Sequence, residues 1–549
     1  MGKKLKVKWV SETIGEEYRK WKKGDTVIIS AQTGTGKTHF IKEKLIPSMD
    51  WDETMLIVCN RINLKRQFKL DLMKSIDESL IPYKEVKSND EIIKEVDYEI
   101  LDKIYKIKNI VILSYQGLSN AVLNKKYKIG SEGFDITSFT YIVLDECHFM
   151  LSDPSFNNKC WFISEKLIGE YFKHSVKIFM SATPEEVLAA INFCAGKNYK
   201  CMGKAKNKIW NYTTGVDYSY LNINYFKEIK DIVATIKNDK TEEKWLIFVT
   251  KLDDATFISE ELGKISNSII KAGTKNTEDL NEILSNSKFK SKVLICTKAL
   301  DNGVNIKDPE NLKHVVIMAW DRVTFIQELG RVRINIEKAP EINLYIPQRS
   351  GRNFNTFLNK IYYPKKKLIK MYKKNIDEFN REYDIDYHKL PQDIFYKDNE
   401  GWKINPAGKE RLNNDIKFCK EMVSLFKIDD TAFLVEQTSW LDRDDYYNAN
   451  WIEDVVLDED KNILVNYLEN IVGEKVFADE QQKLSDLIIK ELTTVSKNTD
   501  YRTKKLKPST LEIILREELN LEFSISKPKK ESKGENRGKR YIVINKIIS

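Results

Sequence analysis

Ala31-Gln32-Thr33-Gly34-Thr35-Gly36-Lys37-Thr38 follows directly on the apolar run Thr26-Val27-Ile28-Ile29-Ser30. A strand that empties into such a loop is a cradle for phosphate. Gly34 and Gly36 can take backbone angles closed to other residues, so successive N–H groups turn inward on a polyphosphate. Lys37 offers a charge to the outer end of that polyphosphate, and the Thr38 hydroxyl suits Mg²⁺. Gln32, Thr33, Gly34, Thr35, Gly36, Lys37 and Thr38 are the residues expected to hold it. The general loop of this kind begins with Gly, where this chain has Ala31.

A second apolar strand, Tyr141-Ile142-Val143-Leu144, closes on Asp145-Glu146-Cys147-His148. Taken alone, these residues read most simply as an acidic turn capping a strand. Beside a phosphate loop they fit a catalytic pair. Asp145 can hold the Mg²⁺ that bridges the outer phosphates, and Glu146 can orient and deprotonate an attacking water.

These residues resemble the superfamily 2 helicases, the DEAD/DEAH-box type of nucleic-acid-dependent ATPase. The family's loop has the form A-x-T-G-x-G-K-T, matched by Ala31 to Thr38, and its acidic motif D-E-x-H is matched by Asp145 to His148. Ser181-Ala182-Thr183 matches the family's S-A-T coupling motif, after the strand Val176 to Met180. In the second half, Trp245 to Thr250 looks like the first strand of a second RecA-like lobe. Ile295 to Asn305 resembles the motif that touches both nucleic acid and the nucleotide site. Gln327-Glu328-Leu329-Gly330-Arg331-Val332-Arg333 resembles Q-x-x-G-R-x-x-R, whose arginines reach across the lobes to the γ-phosphate. The resemblance runs from about residue 20 to about residue 350 and implies ATP and Mg²⁺ as cofactors. It implies Gln327, Arg331 and Arg333 as catalytic residues beside Lys37, Asp145 and Glu146, with Gly303 against the nucleotide. On the nucleic-acid side it implies Arg61 and Gln116 in the first lobe, and Thr250, Thr297 and Asn302 in the second.

Two departures stand out. The family's last arginine falls at Ile334, with Arg333 one position early, so either Arg333 serves through a shifted backbone or Arg331 takes the role. No glutamine precedes Gln32, so the upstream motif that reads adenine in DEAD-box RNA helicases is missing.

The chain of 549 residues is long enough for three or four domains, each with its own core. Seven cysteines without paired metal spacing, and no secretory signal, fit reduced thiols in the cytoplasm. No stretch approaches the ~20 apolar residues of a spanning helix, so no membrane role is expected. The net charge of +8 is uneven. Residues 349–380 carry nine Lys or Arg against two acids, and 501–549 carry thirteen against six. Residues 429–460 carry eleven acids and one Arg443. Basic surfaces supply the sequence-independent part of nucleic-acid binding, although lysine runs also simply solvate a helix face. The acidic stretch can contact a protein partner or fold back on a basic groove; a solvated surface is the commoner reading.

Strands at 27–30, 55–59, 110–114, 141–144 and 177–180 alternate with helical stretches, the signature of a parallel sheet, and strands at 245–249, 268–271, 292–296, 314–318 and 343–346 repeat it. The fold expected is α/β, with two tandem RecA-like lobes and a mostly helical accessory region. Lobe 1 spans 1–210, lobe 2 218–348, the accessory region 349–500, and a basic module or tail 501–549. In that tail, helical spacing over 510–515, a basic Gly-bearing turn over 526–538 and a strand over 541–545 resemble the end of a winged helix; a disordered tail is the competing reading. The function expected is an ATP-dependent helicase or translocase, DNA favoured over RNA, of bacterial or phage-like kind. The alternative is an ATP-driven nucleic-acid switch or loader that unwinds nothing.

Overall fold

The computed structural model describes residues 2–59, 62–88, 91–123, 138–152, 174–184, 187–188, 208–271, 274, 277–297, 305–383, 389–398, 401–443, 461–495, 506–519, 521–534 and 536–547. Nine strands belong to the first half of the chain: β1 (Thr26–Ser30), β2 (Met55–Cys59), β3 (Tyr83–Ser88), β4 (Glu91–Val96), β5 (Lys106–Ile107), β6 (Ile110–Ser114), β7 (Tyr141–Asp145), β8 (Val176–Ser181) and β9 (Ile209–Thr213). Seven of them form one sheet in the order β5-β6-β2-β7-β8-β1-β9, parallel except at β5. Strands β2 and β8 are buried at every position, as a parallel sheet covered on both faces requires. The hairpin β3–β4 stands apart from this sheet.

The sheet order places the motifs. β8 lies between β1 and β7, with Ser30 opposite Ser181 and Asp145 opposite Met180. Three motifs that lie far apart in sequence therefore end side by side on one edge.

The second lobe is a six-stranded, wholly parallel sheet of β10 (Leu221–Phe226), β11 (Lys244–Phe248), β12 (Asn267–Ile270), β13 (Val293–Cys296), β14 (Leu312–Ile317) and β15 (Ile342–Pro347), in the order β10-β15-β14-β11-β13-β12. The strands expected from the apolar runs are all present; the two-residue β5 and the polar-alternating β9 add two strands to the first sheet, and the polar-alternating β10 adds one to the second.

Beyond β15 the chain does not start a separate core. Helix Gly351–Phe357 runs through one π-helical turn, Leu358–Tyr362, into Tyr363–Lys374. Phe354 is fully buried among Phe357, Phe418, Phe426 and Phe433, and this cluster is continuous with the apolar side of the second sheet. Helix Pro406–Leu425 is started by Pro406 at its first position and by the Asn405 side chain, which accepts from Gly408 N. Trp440, in the acidic stretch, is buried against Phe325 and Phe433; residues 444–460 of that stretch lie outside the described residues.

Residues Glu453–Ser549 form a second compact unit. Its order is helix Lys461–Asn470, strand Lys475–Val476, helix Ala478–Val495, helix Pro508–Ile513 with a π-helical turn to Glu518, strand Phe523–Ile525 and strand Arg540–Lys546. The last strand pairs antiparallel with both others, and Lys529–Lys530 extend the hairpin. This is winged-helix topology, and its core draws on both sides of residue 500, from Leu468 and Leu484 to Leu515 and Ile542. Among the described residues, no helix is long and apolar enough to cross a membrane.

Candidate nucleotide site between the lobes

Residues 2–452 fall in one compact unit, so the two sheets can be read together. Gly34 and Gly36 adopt φ of 91° and 86°, the left-handed region the cradle needs. Helix formation begins at Lys37, so the loop's N–H groups converge at a helix start. Lys37 is held in the cradle by the carbonyl of Ala31, 3.2 Å away, and faces Glu146 at 3.6 Å. Thr38 is partly exposed.

Gln32 does something the motif did not foretell. Its amide donates to Asp217 O at 3.1 Å and its oxygen accepts from Asp217 N at 2.8 Å, while its own N–H donates to Thr214 Oγ1. The side chain thus ties the cradle to the segment joining the lobes. The N-terminal stretch reinforces this tie: Lys3 pairs with Ala339, Lys6 N donates to Asp217, Lys8 N donates to Thr214 O, and Val10 N donates to Thr35 O. No motif marks these residues, because the contacts are made by backbone groups.

Glu146 sits at φ 49°, strained for a residue with a Cβ. Burial pushes its carboxyl up, but Lys37, His148 and Arg331 outweigh that and hold it well below the usual carboxylate range. Asp145 goes the other way. Burial and the adjacent Glu146 push it up to about 7, against Lys37 and Arg333. A carboxylate under this strain gains from a divalent cation, and Thr38 supplies the matching hydroxyl, so the donor set fits Mg²⁺. Tyr115 donates to Asp145 O at 3.0 Å and fixes the turn.

His148 links the two lobes. Its Nδ1 lies 2.9 Å from Ser181 Oγ, 3.3 Å from Glu146 Oε2 and 3.4 Å from Gln327 Nε2 of the second lobe. Ser181 Oγ in turn accepts from Thr183 N. The acidic motif, the S-A-T turn and Gln327 are therefore one contact chain. Gly330 abuts the cradle so closely that a Cβ there would stand 2.6 Å from Thr33 Oγ1.

The one-residue shift of the last arginine has a physical reason. Helix Arg322–Leu329 ends at Gly330, the chain turns through Arg331, and Val332 then bridges Ile306 as extended chain: Ile306 N donates to Arg331 O and Arg333 N donates to Ile306 O, both at 2.8 Å. Extended chain alternates its side chains, so Arg331 and Arg333 share a face while Val332 is buried on the other. Both arginines act on Glu146, and Arg333 also acts on Asp145. Arg333 is oriented by Asn305, whose Oδ1 accepts from Nε at 2.8 Å. Ile334 packs against the apolar core of the second lobe.

The expected nucleic-acid residues are divided. Gln116 is exposed at the start of the helix after β6; Thr250, exposed, follows β11, and Thr297 follows β13 on the corresponding edge of the second sheet. Arg61, Asn302 and Gly303 lie outside the described residues.

A phosphate cradle and an acidic pair on one RecA-like sheet, with arginines brought from a second, define a two-lobed nucleoside triphosphatase. Comparison with known proteins gives the family. The model described as type III restriction enzyme, res subunit, matches residues 4–186, and the model described as helicase conserved C-terminal domain matches residues 224–335. The chain belongs to the superfamily 2 helicases and is a nucleic-acid-dependent ATPase. Comparison with curated protein sequences gives no match. Among solved structures, S. cerevisiae Dbp5 bound to RNA and ADP BeF3 is similar at 18% identity and a TM-score of 0.42, over 60% of this chain and 81% of that one. The DEAD-box helicase Mss116 bound to ssRNA and UDP-BeF is similar at 18% and 0.42, over 64% and 71%. Escherichia coli DEAH/RHA helicase HrpB is similar at 12% and 0.39, over 62% and 42%.

Proposed function

We propose that the chain is an ATP-driven motor that moves along a nucleic-acid strand and splits duplex met on the way, with DNA the favoured substrate. The observation that carries this reading is the contact of Gln327 with His148 across the lobes, beside two arginines that act on Glu146. Lys37 and the cradle N–H groups bind the triphosphate, with Thr38 and Asp145 holding Mg²⁺, which would supply charge to the outer phosphates. Glu146, its carboxyl kept ionised by Lys37, orients the attacking water and takes its proton. Arg333, held by Asn305, places positive charge where negative charge develops, and Arg331 supports it. His148 and Gln327 then transmit the state of this site between the lobes, so that closure and opening alternate the grips of Gln116 and Arg61 with those of Thr250, Thr297 and Asn302.

DNA is favoured for two reasons. The upstream adenine-reading glutamine is missing, and the C-terminal unit joins winged-helix topology to a hairpin bearing Lys529, Lys530, Lys533, Arg537, Lys539 and Arg540, all exposed. The rival reading is a switch or loader that hydrolyses ATP without unwinding. A labelled forked duplex separates them: ATP-dependent strand release is expected, and turnover without release supports the switch. Stimulation of turnover by single-stranded DNA, duplex DNA and RNA, compared at one salt concentration, tests the substrate preference.

A further inference from the structure

A second concentration of positive charge lies on the carboxyl edge of the second sheet, away from the nucleotide site. Beyond the ends of β10 and β15, a cavity of about 740 Å³ opens between the turn into helix Gly351–Phe357 and the end of helix Pro406–Leu425. Among the described residues that line it, Lys227, Arg349, Arg352 and Lys427 are cations and Asp430 is an acid. Lys227, Arg352 and Lys427 are exposed at its rim.

Arg349 is set differently from these surface cations. One terminal nitrogen donates to Met318 O, at the end of β14, whereas its Nε is sealed from solvent and has no hydrogen-bond partner. Among the described residues no carboxylate pairs with it; Asp254 acts on it from a distance, and burial lowers its pKa to about 10. A half-buried guanidinium with a sealed, unbonded Nε and no carboxylate paired to it is costly, and an anion in the cavity offsets its charge. The walls are firm: Gln348 N donates to Phe226 O at 2.7 Å, and a Cβ on Gly351 would stand 3.1 Å from Phe426 Cβ.

The position is informative. β15 adjoins β14, which adjoins β11, so Arg349 stands two strand spacings, about 10 Å, from the strand that presents Thr250. We propose that this cavity binds a phosphate group, and that in the working enzyme the phosphate belongs to the nucleic-acid strand lying along that same sheet edge. The planar fork of Arg349 suits a phosphate, and the rim cations extend the track past Thr250 and Thr297. The strand assignment rests on the motor reading above; the phosphate site does not.

The test uses the full chain, with Arg349→Gln and, because Arg349 also bonds Met318, the rim double variant Arg352→Glu with Lys427→Glu, whose side chains are exposed. Labelled oligo(dT), labelled oligo(U) and inorganic pyrophosphate are titrated across a range of salt. Each lost contact with a single strand should flatten the dependence of log affinity on log salt by about 0.7, with ATP turnover in the absence of nucleic acid unchanged. Pyrophosphate binding should weaken in the same variants. If the wild type binds oligonucleotide and both variants match its affinity and slope, the strand assignment is overturned. Loss of pyrophosphate binding alone would support the site with a free phosphate as occupant, and loss of neither overturns the site. A wild type that binds no oligonucleotide would sink the motor reading while the pyrophosphate titration still decides the cavity.

Discussion

The two sheets carry opposite charge on their carboxyl edges. The first presents Asp145 and Glu146, crowded so that one is pushed toward its neutral form; the second presents Arg331 and Arg333, the latter with its pKa lowered to about 10 by burial. Each edge is an unfinished site. Crowded carboxylates want cations and desolvated guanidiniums want anions, so a triphosphate with its metal ion satisfies both at once. Such an enzyme needs two lobes because neither sheet by itself can balance the charge that develops in the transition state.

Removing charge from the second edge has the largest expected effect. Arg333→Ala should lower nucleic-acid-stimulated turnover by about 10³- to 10⁵-fold, and Arg331→Ala by distinctly less. The reverse order in steady-state ATP hydrolysis would transfer the finger role to Arg331. On the first edge, Glu146→Gln keeps the shape but loses the base, and turnover should fall by about 10²- to 10⁴-fold with nucleotide affinity retained. Single-turnover kinetics check this, and wild-type rates would exclude Glu146 as base. Where the edges touch, Gly330→Ala forces a methyl against Thr33 and misplaces the arginines that follow, for a loss of up to about 100-fold. A folded variant with normal stimulation would show that this contact does not set their position. The smallest effect on chemistry belongs to Gln32→Ala. It strips partners from the backbone of Asp217 and should cost about 1–3 kcal/mol of stability while leaving ATP affinity nearly intact. Denaturant unfolding beside nucleotide titration decides this, and weakened ATP binding at unchanged stability would restore Gln32 to the nucleotide.

Much of this arrangement was legible in the order of residues, for reasons that differ from residue to residue. β7 and β8, which end at Asp145 and Ser181, could be read because a parallel sheet buried on both faces demands continuous apolar runs. The cradle could be read because only glycine takes the angles found at Gly34 and Gly36 without strain. β9 and β10 carry no continuous apolar run, because edge strands alternate and resemble loop. The tail resembled the end of a winged helix, but its first helix and strand lie before residue 478, where no charge run or motif marks them.

By itself, then, the sequence determined the chemistry available: a phosphate loop, two acids, an S-A-T turn and a pair of arginines, each the consequence of a residue type that few others can replace. The tertiary structure alone decided which of them meet. Gln32 faces the segment between the lobes, because its two polar ends match the buried N–H and C=O of Asp217. Arg331 and Arg333 came to share a face because the chain leaves the helix at Gly330 and runs extended, which changes the repeat from turns to alternation. Arg349 carries no motif. What sets it apart is a cavity formed by segments far apart in the chain, and such a property exists only once the chain has folded.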